Sequence, residues 1–69
     1  MQIYELTKPE LDMFRELCNF TPDELIYFEE KSKYKTNLQI SLAHGWSDST
    51  TSRIARNVRK KIAKIKPDF

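Results

Sequence analysis

The chain has 69 residues, with one cysteine, one histidine and a formal net charge of +2. A chain of this length forms one small domain that buries only about 60% of its surface on folding, so its core is marginal. Cys18 is the only cysteine and His44 is the only histidine. An intramolecular disulfide and a four-ligand zinc site of Cys and His are therefore excluded. Stability must therefore come from packed helices or from a partner subunit.

The two parts of the chain carry opposite charge. Residues 1–30 contain two basic and eight acidic side chains, a balance of −6, and residues 31–69 contain ten basic and two acidic side chains, a balance of +8. This split indicates an anionic partner for the second part. Charge alone does not distinguish that interpretation from two parts that neutralise each other within the fold.

The N-terminal sequence MQIYELTKPE has no basic region followed by an apolar run, and no stretch is long enough to cross a membrane. The single thiol is compatible with a reducing compartment. We therefore expect a cytoplasmic protein.

Four helices are predicted, over about residues 8–18, 22–33, 37–44 and 48–65, so the expected fold class is all-α. Three of them begin with a capping box, in which a Thr caps the helix and a Glu or Gln three residues later bonds back. Only residues 2–5 are expected to be a short extended stretch. The boxes are Thr7-Lys8-Pro9-Glu10, Thr21-Pro22-Asp23-Glu24 and Thr36-Asn37-Leu38-Gln39.

Apolar residues at helical spacing predict the packed face of each of the first three helices. Glu29 and Glu30 of the second helix are expected to face water. The expected packing residues are Leu11, Phe14, Leu17 and Cys18 in the first helix, Leu25, Ile26 and Phe28 in the second, and Ile40 and Leu42 in the third.

The segment between the third and fourth helices indicates a helix-turn-helix. Gly45 is expected to end the third helix in the left-handed conformation that Gly adopts without penalty. Ser47 caps the fourth helix, Asp48 lies near its positive end, and Pro67 stops it. A short helix and a long helix joined by a turn of three to four residues that contains Gly have this geometry.

The fourth helix has two contrasting faces on a helical wheel. One face is a core stripe, and the opposite face is cationic. Between Ser49 and Lys66 there are seven cations and no carboxylate, although exposed helices usually interleave Glu with Lys. A polyanion explains this pattern best. The core stripe is Thr51, Ile54, Ala55, Val58, Ile62 and Ile65; the other face is Ser49, Arg53, Arg56 and Lys60, beside Asn57 and Lys64, with Ser52 and Arg59 on one flank.

A cationic helix of this kind is expected to enter the major groove of duplex DNA, which is wide enough for an α-helix. Its small N-terminal residues permit close approach, and Arg side chains bond guanine bidentately. The predicted base contacts are Ser49, Ser52, Arg53 and Arg56. The predicted phosphate contacts are Thr36, Asn37, Thr50, Asn57, Arg59, Lys60, Lys61 and Lys64.

Residues 20–62 resemble, without a gap, the DNA-binding domain of LuxR/GerE-type regulators, and they are also similar to region 4 of sigma-70 factors. The resemblance implies a tetrahelical fold with a recognition helix over residues 48–62 in the major groove. Residues 1–69 are then expected to form one domain, in which residues 7–18 are an acidic helix added to the part that resembles the family. The matching residues are Thr21-Pro22, Glu24, Thr36-Asn37, Ile40, Gly45, Ser47, Val58 and Lys61-Ile62, and Thr50-Thr51 falls at the Thr-Val of the family.

Five positions depart from the pattern of that family. Ser41 replaces the usual Ala. Thr51 replaces a buried Val, and the hydroxyl of Thr51 requires a hydrogen-bond partner. His44 and Trp46 stand for smaller packing residues and indicate a remodelled turn. Tyr34 falls at a glycine of the family. No sensing domain accompanies the match, and stand-alone domains of this size are associated with phages and mobile elements.

Other candidate sites have simpler interpretations. Cys18 is expected in the core, Trp46 as a packing residue, and His44 as a turn residue with a satisfied hydrogen bond. The three tyrosines are scattered in sequence, so no stacking platform for RNA is expected. No pairing of a nucleophile with a base and no Gly-rich phosphate loop indicates an enzyme, and no cofactor or metal is expected.

The sequence thus predicts a transcriptional regulator that binds double-stranded DNA in a sequence-specific manner and is associated with the nucleoid when it is bound to DNA. Homodimerisation on a palindrome is a further expectation, through Ile62, Ile65 and Phe69 at the end of the last helix or through the first helix. The alternative is a protein-binding adaptor or inhibitor of RNA polymerase or of a host defence protein. It would use the helix-turn-helix as a scaffold and the acidic side chains Glu10, Asp12 and Glu16 as its binding surface.

Overall fold

The computed structural model describes all 69 residues, and its all-helical architecture confirms the predicted fold class. Every helix boundary lies within one residue of its prediction. None of the helices is both long enough and apolar enough to span a membrane. The elements are a 3₁₀ turn at Ile3–Glu5 and the helices α1 (Lys8–Leu17), α2 (Pro22–Ser32), α3 (Asn37–His44) and α4 (Asp48–Ile65).

The helices begin where their capping residues predict. In α3 the Thr36 hydroxyl accepts the N–H of Gln39 at 3.1 Å, and the Thr36 N–H donates to the Gln39 side chain at 2.8 Å. The boxes of α1 and α2 are formed in the same way. Each box satisfies two backbone donors that the first turn of a helix leaves unpaired.

The N-terminal segment differs from the expected extended stretch, because residues 3–5 form a 3₁₀ turn. The turn is closed by the Leu6 N–H, which donates to the carbonyl of Ile3 at 3.1 Å. It places Ile3 and Leu6 on the same side, and both are buried in the core. In a strand, residues three apart point to opposite faces, and only one of the two would be buried.

The core lies where α2, α3 and α4 meet. Helix α2 packs against the N-terminal turn, α4 and α3, and α3 also packs against α4. Helix α1 adds Phe14 and Cys18 to this core. The side chains with the least exposure come from all four helices, and they are Phe14, Phe28, Ile40, Val58 and Ile62.

Two leucines that were predicted to pack lie in solvent instead. Leu17 of α1 is 59% exposed, and Leu42 of α3 is 75% exposed. Helix α1 contacts the core along Phe14 and Cys18, which are one turn apart, whereas Leu17 lies about 100° around the helix from Cys18. The helical period correctly predicted the apolar side of α1, but it did not predict which residues on that side pack against the core.

Helix α2 also buries a different set of residues from the predicted one. Glu24 and Tyr27 are buried beside Phe28, and Leu25 is 39% exposed. Glu29 does not simply face water, because it is half-buried and accepts hydrogen bonds from Arg15 of α1. The buried set follows the spacing of one helical face, and a polar residue occupies a position on it.

Gly45 ends α3 in the predicted left-handed conformation, with φ of +68° and ψ of 28°. The Trp46 N–H donates to the carbonyl of Ser41 at 3.0 Å, which closes the end of the helix. The chain then turns and α4 begins at Asp48, one residue after its cap Ser47. This turn is what allows the short α3 to cross the long α4.

Replacing Gly45 with Ala should lower the free energy of unfolding by about 1 kcal/mol. An added Cβ meets no atom within 4 Å, so the cost is backbone strain alone. Gly45→Asn should cost less, because Asn tolerates the left-handed region better. Urea denaturation of both variants measures the difference, and equal losses for Ala and Asn would contradict this explanation.

Candidate nucleic-acid interface

Helix α4 has the two faces that the wheel predicts. Thr51, Ile54, Val58 and Ile62 are buried against the rest of the domain. Ala55 is half-buried, and Ile65 lies at the edge of this stripe. The side chains on the opposite face are all exposed, and they are Ser49, Arg53, Arg56, Lys60 and Lys64.

The exposed cations of α4 have no anionic partner within the chain. Arg53, Arg56, Lys60 and Lys64 make no ion pair and no side-chain hydrogen bond, and Asp48 is the only carboxylate of the helix. Neutralisation between the two parts of the chain is therefore limited. The four ion pairs are Arg15–Asp12, Arg15–Glu29, Lys61–Glu24 and Lys66–Glu10, and only the last two join the acidic part to the basic part.

Small polar residues line the start of α4. Ser49 and Ser52 are exposed, and Thr50 is half-buried with its hydroxyl accepting a hydrogen bond from Ser47 at 2.9 Å. A shallow crevice separates this part of α4 from α3. Its lining residues are Asn37, Leu38, Ser41, Asp48, Thr51 and Ser52.

A buried hydroxyl pair joins α3 to α4 beneath this crevice. The Ser41 and Thr51 hydroxyls lie 2.7 Å apart and share a hydrogen bond. Each also lies within hydrogen-bonding distance of a carbonyl four residues earlier, Asn37 at 2.8 Å and Ser47 at 3.0 Å. The two departures from the LuxR/GerE pattern at these positions thus satisfy each other, and Thr51 has the partner that its hydroxyl requires.

The hydroxyl pair should show strong coupling in a double-mutant cycle. Ser41→Ala and Thr51→Val should each cost about 1 kcal/mol of unfolding free energy, since each leaves a buried hydroxyl with fewer partners. The double variant should be close to wild type, because it removes both polar groups together. Thermal or urea unfolding of the four proteins measures the coupling. Additive losses would show that the two hydroxyls do not share a stabilising hydrogen bond.

A second side-chain hydrogen bond, which is partly buried, orients Asn37 at the start of α3. The Tyr27 hydroxyl donates to Asn37 Oδ1 at 2.8 Å. Burial raises the pKa of Tyr27, so the phenol stays protonated and keeps this donor role. The amide nitrogen of Asn37 is left free to donate to an anion. The sequence gives no signal for this contact, because its two residues lie on different helices.

Lys61 lies apart from the other predicted phosphate contacts. Its ammonium bonds the carboxylate of buried Glu24 and also donates to the carbonyl of Asn19 at 3.2 Å. Burial by itself raises the pKa of Glu24, but the bonds from Lys61 and from the Thr21 N–H outweigh it, so the pKa lies below its ordinary value. Lys61 is thus turned into the domain.

The remaining predicted phosphate contacts are accessible to different degrees. Thr36 is exposed, although its hydroxyl caps α3, and Asn57 is half-buried. Arg59 is exposed but partly engaged, because it donates to the carbonyl of Met1 at 3.2 Å and lies over the Phe69 ring, 4.9 Å from its centroid. Its place on the flank of α4 agrees with the wheel.

The turn between α3 and α4 is filled by aromatic rings. His44 and Trp46 stack on either side of Gly45 with ring centroids 5.1 Å apart. Trp46 is half-buried against the core and is a packing residue, as predicted. The hydrogen bond expected for His44 is not formed, and the exposed imidazole lies against the indole instead. Cys18 is buried as expected, and burial raises the pKa of its thiol.

No family model, curated protein or solved structure matches the chain. The resemblance to LuxR/GerE-type domains therefore depends on the residues that carry it, and it stays a prediction. The helix-turn-helix geometry and the unpaired cationic face of α4 are properties of the chain itself.

Proposed function

We propose that the protein binds double-stranded DNA in a sequence-specific manner and regulates transcription. The observation that carries the proposal is the exposed row Arg53, Arg56, Lys60 and Lys64, which has no carboxylate partner. Unpaired like charges along one helix face repel each other and reduce stability. The neutralisation of phosphates would remove that repulsion and release counterions.

In the proposed complex α4 lies in the major groove with its N-terminal half against the bases. The helix has 18 residues and is about 27 Å long, so its two ends serve different purposes. Ser49 and Ser52 are small enough for close approach and bond base edges. Arg53 and Arg56 each present two donors to the O6 and N7 atoms of guanine.

The phosphates are contacted on either side of these base contacts. Lys60 and Lys64 lie farther along α4, where the helix leaves the groove, and Arg59 lies on its flank. Asn37, held by Tyr27, donates its free amide to a phosphate at the start of α3. Lys61 contacts no phosphate in this arrangement, because its ammonium is bonded to the Glu24 carboxylate and the Asn19 carbonyl.

Fewer of the predicted apolar residues are available for homodimerisation than the sequence indicated. Ile62 is fully buried, so it is not available to a second copy. Exposed Leu17 and Ile65 line one groove between α1 and α4, and they are the apolar side chains that a dimer would bury there. The acidic surface expected of an adaptor is partly occupied, since Glu10 and Asp12 form ion pairs with Lys66 and Arg15.

Selection from a random duplex library at near-physiological salt, followed by a salt titration of the selected sequence, tests the proposal. An enriched motif and a steep fall of affinity with salt are expected. A palindromic motif, together with a doubled mass on DNA, would support the dimer. Weak binding without enrichment would overturn the proposed sequence-specific function, and a concentration-independent monomer mass in solution and on DNA would overturn the dimer.

A further inference from the structure

Two tyrosines that are far apart in sequence form an exposed aromatic pair. The rings of Tyr4 and Tyr34 lie against each other at a tilt of 35°, with centroids 5.0 Å apart, and the two residues are 40% and 72% exposed. The 3₁₀ turn at Ile3–Glu5 packs on α2 and so brings Tyr4 to the chain that follows that helix. The fold thus brings together two of the three tyrosines that are scattered in sequence, while Tyr27 is buried.

Tyr34 holds a backbone conformation that is costly for its side chain. Its φ is +68°, in the left-handed region that Gly occupies without strain. The ring is mostly in solvent and makes no contribution to the buried core. The conformation has a local cause, because Tyr34 closes the end of α2. Its N–H donates to the carbonyl of Lys31 at 3.1 Å, and the Lys35 N–H donates to the carbonyl of Glu30 at 3.3 Å. This helix end leaves the Tyr34 side chain in solvent, where it is accessible to a ligand.

The surroundings of Tyr34 are cationic. Lys33 and Lys35 are exposed and have no ion-pair partner. Residues 33–35 immediately precede α3, and α3 packs against α4. These lysines therefore lie next to the helix-turn-helix.

We propose that Tyr34, Lys33 and Lys35 form a second DNA contact, which holds the sugar–phosphate backbone of the duplex beside the segment bound by α4. This inference rests on the proposed DNA-binding function. Tyr4 lies tilted against the Tyr34 ring, and Tyr34 is still 72% exposed, so most of its side chain remains available. An exposed phenol that two unpaired lysines flank in sequence suits phosphate oxygens, and such a contact does not require an unpaired base.

The test compares variants on two forms of the selected duplex, one with long flanks and one trimmed on each flank in turn by about half a helical turn. Tyr34→Gly should bind the long duplex about tenfold more weakly than wild type, the loss of one hydrogen bond to a charged group. It should bind the duplex trimmed on the contacted flank as well as wild type does. Tyr34→Phe, which keeps the ring and removes the hydroxyl, should lose affinity for the long duplex similarly.

Thermal unfolding separates this role from a structural one. Tyr34→Gly loses the ring contact but relieves the backbone strain, so its melting temperature should stay within a few degrees of wild type. Lys35→Ala should lower the salt dependence of binding by about one phosphate contact. Lys8→Ala removes an equally exposed and unpaired lysine at the start of α1, and it should leave DNA binding unchanged.

Three results would overturn the inference. If wild type and Tyr34→Gly lose the same affinity on trimming, Tyr34 makes no flanking contact, while the proposed function still stands. If a single-stranded overhang at the flank binds more tightly than a duplex flank and the difference depends on Tyr34, the partner is an unpaired base. If wild type binds no duplex at all, the proposed function fails and this contact fails with it.

Discussion

Replacing Arg56 with Ala should weaken binding to the selected duplex by about 1–3 kcal/mol and relax the preference at one base pair. Arg56 lies on the outward face of α4, it is exposed, and it has no partner within the chain. The loss of its proposed bidentate contact to guanine should reduce both affinity and discrimination. Binding of the variant to the selected sequence and to single-base changes of it, measured by fluorescence anisotropy, provides the test.

Two control variants show whether the effect of Arg56 is specific. Lys64→Ala should weaken binding to all duplexes alike and reduce the salt dependence by about one phosphate contact. Lys8→Ala should have no effect. Because all three side chains are exposed, the unfolding free energies should stay within about 0.5 kcal/mol of wild type. An Arg56→Ala variant with unchanged base preference would remove Arg56 from the base contacts.

Replacing Lys61 with Met should lower the free energy of unfolding at neutral pH by about 2–3 kcal/mol. The substitution leaves the buried carboxylate of Glu24 without its ammonium partner. This loss is smaller than is typical when one partner of a fully buried ion pair is removed, because the Lys61 side chain is 30% exposed. Urea denaturation at pH 7 measures this loss.

The loss should shrink as the pH falls. In wild type the pKa of Glu24 lies below its ordinary value of 4.5, so the pair stabilises the fold above that value and the contribution is lost as the pH falls through the lowered pKa. In Lys61→Met, burial is no longer opposed by the ammonium, and Glu24 becomes neutral in the folded state at higher pH. Wild type and variant should therefore converge once the pH falls below the lowered pKa of Glu24.

Lys64→Met is the matched control for Lys61→Met, because Lys64 is one turn away on the same helix and has no carboxylate partner. It should change the unfolding free energy by no more than about 0.5 kcal/mol at any pH. Equal losses for the two lysines, or a loss for Lys61→Met that does not depend on pH, would contradict the role of the Glu24–Lys61 pair.

The sequence alone determined the helices, their ends and the two faces of α4. Capping boxes, a Ser cap and a C-terminal Gly act within a few residues of the chain, so their effect does not depend on distant contacts. The helical period likewise separates Arg53 and Arg56 from Thr51 and Val58 without knowledge of the fold. For this reason the boundaries of all four helices agree with prediction to within one residue.

Only the tertiary structure decided which polar groups meet across helices. Lys61 looks like its neighbours Lys60 and Lys64 in sequence, but the way α4 crosses α2 places it over Glu24. The pairs Ser41–Thr51 and Tyr4–Tyr34 join different elements in the same way. The exposure of Leu17 also follows from how α1 docks. These contacts depend on the placement of whole elements, which local sequence signals do not specify.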